Sequence, residues 1–206
     1  MIAIIDYGMG NLGSVAKALK YLNYDSVITS DPKVISAASG VILPGVGAFA
    51  PAMENLRNRG LDNVIIESAY SGKPFLGICL GMQLLMEGSQ EGLKLAFSMG
   101  EYVSGLGIIP GKVRKFNSEN LKVPQIGWNR LVDCTGSLLS EGDYVYFVHS
   151  YYCLPEHKDD VAGCAEYGIK YCAAIEHENV FATQFHPEKS GEAGLQILNK
   201  FAMRTR

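Results

Sequence analysis

A chain of 206 residues, 48% of them hydrophobic, can bury a core large enough for one α/β domain, so we expect residues 1–206 to form a single domain. The formal net charge is −3 and the basic residues are scattered, which excludes the basic surface typical of nucleic-acid-binding proteins. No apolar run reaches the roughly 18 residues of a membrane span, and the first residues lack the basic start of a signal peptide, so we expect a cytoplasmic protein.

Short apolar runs alternate with amphipathic stretches through the first 78 residues. Strands joined in this way by helices form a parallel sheet, and apolar runs without alternation suit strands buried on both faces. We therefore predict an α/β fold with a flavodoxin-like, open and mostly parallel sheet flanked by helices. The predicted strands are residues 2–5, 26–29, 41–43 and 74–78, and the predicted helices are residues 12–22, 32–38, 48–59 and 61–70.

A glycine-rich segment, Gly8-Met9-Gly10-Asn11-Leu12-Gly13, lies between the first predicted strand and the first predicted helix. Its spacing matches the G-x-G-x-x-G fingerprint of dinucleotide-binding proteins, and Asp31 lies near the place of the acidic residue that holds a ribose. Asp6, however, ends the strand under this turn, where a carboxylate would repel a pyrophosphate. A dinucleotide-binding module is therefore an alternative to a glycine-rich turn that presents its backbone to a neighbouring segment.

The segment Pro44-Gly45-Val46-Gly47-Ala48 also follows a strand and precedes a helix. Its backbone N–H groups would face the carboxyl edge of the sheet, so Val46 and Gly47 are candidate donors to an oxyanion. An ordinary turn between strand and helix is the alternative, because proline and glycine mark turns generally.

The segment Gly77-Ile78-Cys79-Leu80-Gly81 follows the fourth predicted strand and opens a helical pattern. Glycines two residues before and two after Cys79 permit a sharp strand-to-helix turn, because neither flank carries a side chain against the crossing backbone. The thiol would then project at the carboxyl edge of the sheet, beside free N–H groups and the positive end of the helix dipole. We predict that Cys79 is a nucleophile and that the Leu80 N–H is a further oxyanion donor.

The chain contains five cysteines, an odd number, and no C-x-x-C pair. This pattern argues against a disulfide framework and against a zinc site, so we expect reduced thiols and no bound metal. Apart from Cys79, the cysteines are expected to be small buried apolar residues. They are Cys134, Cys153, Cys164 and Cys172.

From Gly105 onward, short β-branched and aromatic segments separated by turns predict hairpins and therefore an additional, partly antiparallel β section. A final helix is predicted over residues 193–202, with Leu195, Leu198 and Phe201 facing inward. The predicted strands of this half are residues 112–116, 144–148, 161–167, 172–176 and 180–185.

His186 and Glu188 flank Pro187 at the end of the last predicted strand. A nearby carboxylate can hold an imidazole in the tautomer that accepts a thiol proton, so His186 is the candidate base and Glu188 the group that orients it. His149 is a rival base on similar local grounds. The remaining histidines, His157 and His177, lie in polar turns and are expected at the surface.

These motifs resemble those of class I (triad-type) glutamine amidotransferases, which carry G-x-C-x-G and H-P-E after strands. Within that class, the chain is similar over essentially its whole length to the glutaminase subunits of imidazole glycerol phosphate synthases. This likeness rests on four further segments, DYGMGN (6–11), PGVGAF (44–49), PQIGWN (124–129) and FVHSY (147–151). Glutaminases of other ammonia-using synthases share the triad and remain an alternative.

The resemblance implies that Cys79, His186 and Glu188 hydrolyse glutamine to glutamate and ammonia without a cofactor. It implies a heterodimer with a TIM-barrel cyclase subunit that uses the ammonia to form imidazole glycerol phosphate in histidine biosynthesis. It also implies poor hydrolysis until the cyclase binds its own substrate, so we expect the loop of residues 45–47 to be misoriented in the isolated chain.

The resemblance further implies which residues contact glutamine and the cyclase. Gln83 and Glu91 match positions that hold the amino-acid end of glutamine, and Ser150 and Tyr151 belong to a segment that lines the same pocket. For one interface candidate, Trp128, core packing is the alternative. The residues implied at the interface and the ammonia passage are Asn11, Gln125, Trp128, Tyr146 and Lys189.

Overall fold

The computed structural model describes residues 1–92, 102–117, 119 and 121–206. Within these residues, eleven strands form one sheet and two more form a separate pair. The strands are β1 (Ile2–Ile5), β2 (Ser26–Thr29), β3 (Gly40–Gly45), β4 (Phe75–Cys79), β5 (Met86–Ser89), β6 (Val103–Ser104), β7 (Ile109–Lys115), β8 (Gln125–Arg130), β9 (Tyr144–His149), β10 (Tyr151–Pro155), β11 (Val161–Tyr167), β12 (Ile169–His177) and β13 (Val180–Thr183). The α-helices are α1 (Leu12–Tyr21), α2 (Pro32–Ala37), α3 (Phe49–Asn58), α4 (Asp62–Tyr70), α5 (Leu80–Leu84) and α6 (Gly191–Met203).

Five parallel strands in the order β2-β1-β3-β4-β13 form one half of the large sheet. This is the doubly wound, flavodoxin-like order, which confirms the predicted fold class. Alternate residues of each strand face opposite helical layers. Ile2 and Ile4 pack with α1 and α6, whereas Ala3 and Ile5 pack with α2, α3 and α4. Burial on both faces explains why β1, β3 and β4 are almost continuous apolar runs, whereas β2 at the edge of the sheet is partly exposed.

The other half of the sheet continues beyond β13 in the order β12-β10-β7-β5-β6, and most of its pairs are antiparallel. Strand β11 pairs with β12. Strands β8 and β9 form a separate antiparallel pair. The predicted second section is therefore present, but β5, β6, β8 and β10 were not predicted as strands.

One face of the β8–β9 pair is buried and the other is open to solvent. The register pairs Trp128 with Tyr146 and Ile126 with Val148, so these four side chains lie on the same face. The rings of Trp128 and Tyr146 meet edge to face, with centroids 6.0 Å apart. We call the face formed by Ile126, Trp128, Tyr144, Tyr146 and Val148 the aromatic face.

Helix α6 buries a different set of residues from the predicted one. Leu198 and Phe201 are buried as expected, but Leu195 is only partly buried and Ile197 takes its place in the core. The reason lies at the start of the helix, where a Cβ on Gly194 would lie 1.9 Å from the carbonyl oxygen of Pro187. This close approach turns the face that contains Gly194 and Ile197 toward the sheet.

Two other groups of side chains differ in part from expectation. His157 is exposed, but His177 ends β12 and is half-buried, with its Nδ1 2.7 Å from the Asp160 carboxylate. All five cysteines are free, yet Cys134 and Cys164 are only partly buried. None of the helices in the described part of the chain has the length and apolarity that a membrane crossing requires.

Candidate active site

Cys79 lies at the end of β4 in the sharp turn that the glycine spacing predicts. Its backbone has φ 55° and ψ −109°, a conformation that non-glycine residues rarely adopt. A Cβ on Gly81 would lie 1.8 Å from the Leu43 carbonyl oxygen, and one on Gly77 would lie 3.1 Å from the Gly81 oxygen. Position 81 must therefore be glycine, whereas a side chain at position 77 would be tight and would require its neighbours to shift by a few tenths of an ångström. The following helix, α5, is only five residues long, so its dipole is smaller than the helical pattern predicts.

The adjacent strand brings His186 to the same edge of the sheet. Strand β13 pairs in parallel with β4, and Thr183 lies opposite Ile78 in the register. Residues that follow the two strands therefore meet beyond their carboxyl ends. Cys79 and His186 line one cleft of about 370 Å³.

Glu188 orients the imidazole of His186. The Nδ1 atom of His186 lies 2.9 Å from a carboxylate oxygen of Glu188, and both side chains are almost fully buried. Since a carboxylate only accepts hydrogen bonds, Nδ1 carries the proton and Nε2 is left with a lone pair. Nε2 is buried and makes no hydrogen bond of ordinary geometry within the described residues. It is therefore free to take a proton. Asn11 supports Glu188 from behind, with its Nδ2 3.5 Å from the same carboxylate oxygen.

The electrostatic surroundings of His186 favour its protonated form. Burial alone would lower the pKa of His186, but the proximity of Cys79 and Glu188 outweighs burial and raises the pKa to about 9. At neutral pH the arrangement therefore favours an imidazolium beside the sulfur, which is the charge state that accompanies a thiolate nucleophile.

His149, the rival base, lies in the same cleft but in a different environment. Its Nδ1 lies 2.7 Å from the Tyr151 carbonyl oxygen, which can only accept, so Nδ1 carries the hydrogen. Burial and, to a smaller extent, the neighbouring His186 lower the pKa of His149 to about 4. His149 thus stays neutral at physiological pH. The group that its Nδ1 atom bonds to is a neutral carbonyl rather than a carboxylate. His186 is the better placed base.

The candidate oxyanion donors lie beside Cys79. Val46, Gly47 and Leu80 line the cleft, and Gly47 has a φ of +96°. The start of this loop is held tightly, because a Cβ on Gly45 would lie 2.5 Å from the Tyr7 hydroxyl and 2.9 Å from the Leu80 Cβ. Gly45 is therefore closely packed, and the positive φ of Gly47 is one that glycine adopts without strain.

The residues expected to hold a ligand line the remainder of the cleft, and two of them also make structural contacts. Glu91 accepts a hydrogen bond of 2.9 Å from the Phe49 backbone N–H, at the beginning of α3. Burial raises the pKa of Glu91, although the Phe49 N–H and Lys115 oppose it. Gln83 donates from Nε2 to the Tyr151 carbonyl oxygen over 3.2 Å. The cleft is lined by Val46, Gly47, Cys79, Leu80, Gln83, Glu91, Pro124, Val148, His149, Ser150, Tyr151, His186 and Lys189.

Among the interface candidates, only Lys189 lines the cleft. Trp128 is 56% exposed, which excludes simple core packing. Tyr146 lies beside it on the aromatic face, whereas Gln125 lies on the buried face and accepts a hydrogen bond from Tyr171. Because Val148 belongs both to the aromatic face and to the cleft lining, the two surfaces are continuous.

Gln184 is a residue of the site that sequence reasoning missed. It is fully buried between β13 and His186, and its Nε2 lies 3.7 Å from the Cys79 sulfur. The signal was a long amide side chain near the end of a largely apolar run, Val180 to Phe185.

The glycine-rich turn of residues 8–13 does not contribute to the cleft. A Cβ on Gly8 would lie 2.8 Å from the Arg59 guanidinium, and one on Gly10 would lie 3.5 Å from the Pro44 carbonyl oxygen. The turn therefore presents its backbone to a neighbouring segment, as the alternative to dinucleotide binding predicts. Within the described residues, no group of three His, Cys, Asp or Glu side chains could hold a metal ion.

Comparisons with known proteins show which family and which relatives this chain is similar to. A family model described as "Glutamine amidotransferase class-I" matches residues 3–205. A Chlorobaculum tepidum protein named "Imidazole glycerol phosphate synthase subunit HisH" is 49% identical, over 98% of this chain and 99% of its own. A Methanothermobacter thermautotrophicus protein of the same name is 50% identical, over 98% of this chain and 97% of its own.

Solved structures share the fold at low sequence identity. One described as a glutamine amidotransferase superposes with a TM-score of 0.73 at 16% identity and covers 98% of this chain and 100% of its own. A chain of the PurLQS structure from Thermotoga maritima gives a TM-score of 0.64 at 17% identity, over 97% of this chain and 96% of its own.

Proposed function

Because this chain belongs to the class-I glutamine amidotransferase family, we propose that it is the glutaminase subunit of an imidazole glycerol phosphate synthase. It hydrolyses glutamine and passes the ammonia to a cyclase subunit. Relatives of that name at about 50% identity support the assignment over nearly the whole chain. The observation that carries the chemistry is the single cleft that joins Cys79, His186 and the expected pocket residues. We also infer that residues 1–206 act as one amidotransferase domain.

The first half of the reaction forms a thioester and releases ammonia. The Nε2 atom of His186 takes the proton of the Cys79 thiol, and the thiolate attacks the side-chain amide carbon of glutamine. Glu188 stabilises the resulting imidazolium through Nδ1. When the tetrahedral intermediate collapses, the carbon–nitrogen bond breaks and the imidazolium returns its proton to the departing ammonia.

The second half of the reaction hydrolyses the thioester. With its proton gone, His186 acts as the base that activates a water molecule, and the products are glutamate and free Cys79. The oxyanion that develops in each half is met by the Leu80 N–H and by an N–H of Val46 or Gly47. Each such donor contributes about a hundredfold or more to the rate.

The charge of the cleft suits the amino-acid end of glutamine. The Glu91 carboxylate faces the cleft and can pair with the substrate ammonium group, while its bond to the start of α3 keeps it in position. Gln83, Ser150 and Tyr151 line the same cleft as Glu91 and Cys79 and can hydrogen bond to the rest of the substrate.

The continuity of the aromatic face with the cleft supports a partner at that face. Ammonia that leaves the cleft past Val148 would travel along Tyr146 and Trp128, so a cyclase bound there would receive it without loss to solvent. Interface cores are enriched in aromatic residues, which agrees with the exposed tryptophan. A glutaminase of another ammonia-using synthase would bind a different partner at this face.

The test of the proposed function is a glutaminase assay with three arms: the chain alone, the chain with a cyclase subunit, and the chain with cyclase plus its ribotide ligand. We expect little ammonia from the chain alone and an increase of about tenfold or more in the third arm, which is an ordinary size for coupling between sites. No ammonia in any arm would refute the glutaminase assignment. Ammonia release with no effect of the cyclase would favour another synthase.

The low activity expected of the chain alone rests on the loop of residues 45–47, which we propose is misoriented there. Because Gly45 is held against Tyr7 and Leu80, the peptide between Val46 and Gly47 is the one that would turn. A crystal structure of the isolated, fully active chain with both oxyanion N–H groups aimed at Cys79 would refute this proposal.

Trp128→Ala is expected to weaken cyclase binding far more than it destabilises the fold. A central interface tryptophan typically contributes about 2 kcal/mol or more, which corresponds to an affinity loss of roughly 30-fold. Titration calorimetry with the cyclase and a thermal melt of the isolated chain measure the two effects. Tyr70→Ala, which removes an even more exposed aromatic side chain from α4, is the matched control and should change neither. Equal loss of binding and of stability on Trp128→Ala would contradict the interface assignment.

A further inference from the structure

We propose that Gln184 donates a hydrogen bond to the Cys79 sulfur and stabilises its thiolate form, and that Gln83 fixes the orientation of Gln184. The inference rests on the proposed function, because it assigns a further catalytic residue to the same nucleophile. Gln184 touches the reacting atom, whereas Gln83 acts through Gln184 and is a positioning residue.

Three hydrogen bonds connect the backbone of Tyr151 to the Cys79 sulfur. The Nε2 atom of Gln83 lies 3.2 Å from the Tyr151 carbonyl oxygen and 3.0 Å from the Oε1 atom of Gln184. The Nε2 atom of Gln184 lies 3.7 Å from the Cys79 sulfur. The two glutamine side chains are buried, so water does not compete for these positions.

The carbonyl oxygen at one end determines the direction of the whole chain of hydrogen bonds. A backbone carbonyl only accepts, so the atom of Gln83 that faces Tyr151 must be the amide nitrogen. Its second hydrogen points at Gln184, which must therefore present its oxygen to Gln83. The remaining atom of the Gln184 amide, the nitrogen, then faces the sulfur. If either amide were turned around, two acceptors or two donors would meet.

A donor at the sulfur distinguishes between the two protonation states of Cys79. A thiolate is a better acceptor than a thiol, and hydrogen bonds to charged groups are stronger than those between neutral groups. The carbonyl oxygen of Val148 lies 4.0 Å from the sulfur and can only accept, so it favours the thiol instead. Gln184 opposes this preference.

Three titratable groups lie close enough to interact electrostatically with Cys79. They are His186 after β13, Tyr7 after β1 and Cys153 in β10. Four further groups line the same cleft, namely His149, Glu91, Tyr151 and Lys189. His186 supplies the positive charge that balances the thiolate. Burial raises the pKa of Tyr7 and of Cys153, and the proximity of Cys79 adds to this, so both stay neutral. Substitution of Gln184 leaves all three groups in place.

The test is the pH dependence of Cys79 alkylation by iodoacetamide, followed by peptide mass mapping, in the absence of glutamine. Gln184→Met keeps the length of the side chain and removes the donor. We expect the midpoint of alkylation to move upward by about one pH unit, since this is the usual worth of a hydrogen bond to a charged group. Glutaminase kcat should fall by about tenfold with KM little changed, because the bond is made to the nucleophile and not to the substrate.

A second variant distinguishes loss of the hydrogen bond from a packing defect. Gln184→Glu keeps the shape of the side chain but replaces the donor by a carboxylate, so the midpoint should move upward further. Gln83→Met should move the midpoint in the same direction by less, because it only releases the orientation of Gln184. Gln196→Met on the exposed side of α6 is the matched control and should leave the midpoint and kcat as they are.

Unchanged midpoints in the folded Gln184→Met and Gln184→Glu variants would overturn the inference, even if melting temperature and kcat both fall. That result would leave the proposed function intact, provided that alkylation of Cys79 blocks ammonia release by the unsubstituted chain. If alkylation leaves ammonia release unaffected, the proposed function itself fails.

Discussion

Cys79→Ser is expected to lower kcat for glutamine hydrolysis by about four orders of magnitude or more, because loss of a nucleophile that acts together with its base removes most of the catalysis. A serine hydroxyl fits the same turn but does not ionise near neutral pH. The imidazolium of His186, whose pKa is raised to about 9, is matched to a thiolate rather than to a neutral hydroxyl. Steady-state ammonia release in the presence of the cyclase and its ligand measures the effect.

Two further variants make this test specific. Cys134→Ser is the matched control, since burial together with the Glu141 and Asp143 carboxylates raises the pKa of Cys134 to about 11 and leaves the thiol unreactive. It should retain full activity. His186→Ala should lose about as much activity as Cys79→Ser, and the double variant should lose no more, because the pair acts as a unit. Retention of hydrolysis by either single variant at the active site would show that the assignment is wrong.

Gly81→Ala is expected to destabilise the fold by about 3 kcal/mol or more, the upper range for overpacking of a buried position. The added Cβ would lie 1.8 Å from the Leu43 carbonyl oxygen, which belongs to the rigid strand β3 and cannot rotate away. To relieve this clash, α5 would have to shift, and such a shift would also move Cys79. A large decrease in the urea midpoint and loss of glutaminase activity should therefore occur together.

Gly13→Ala is the matched control for this substitution. Gly13 lies in α1 with no atom within 4 Å of an added Cβ, so alanine should stabilise the chain by up to about 1 kcal/mol through its greater helix propensity. A Gly81→Ala variant as stable as Gly13→Ala would contradict the account of the turn.

The parallel half of the fold and the centre of the site could be predicted because their causes are local in the sequence. Strands buried on both faces leave unbroken apolar runs, and the turn at Cys79 is flanked by glycine at two fixed distances. Parallel strand order then brings the ends of β4 and β13 together although Cys79 and His186 are far apart in the chain. The pairing of β4 with β13 is itself a long-range contact, but the rule that ligands bind at carboxyl edges is enough to place both residues at one edge of the sheet.

The remainder depends on contacts between distant segments. Strand β10 was missed because polar and apolar residues do not alternate cleanly along Tyr151–Pro155, one end of which lines the cleft. Which face of α6 is buried depends on the approach of Gly194 to Pro187, and the periodicity of the sequence alone does not show this contact. The role inferred for Gln184 depends on the Tyr151 carbonyl, whose position is unknown until β10 has been placed.

The position of β13 has a consequence for synthesis of the chain on the ribosome. Translation reaches this strand only after β5 to β12 have been made, yet it lies between β4 and β12 in the sheet. Until it emerges, β4 has an open edge that can associate with other nascent chains. The same delay separates Cys79 from His186, the base that we propose for it, so a polypeptide that ends before β13 is expected to release no ammonia.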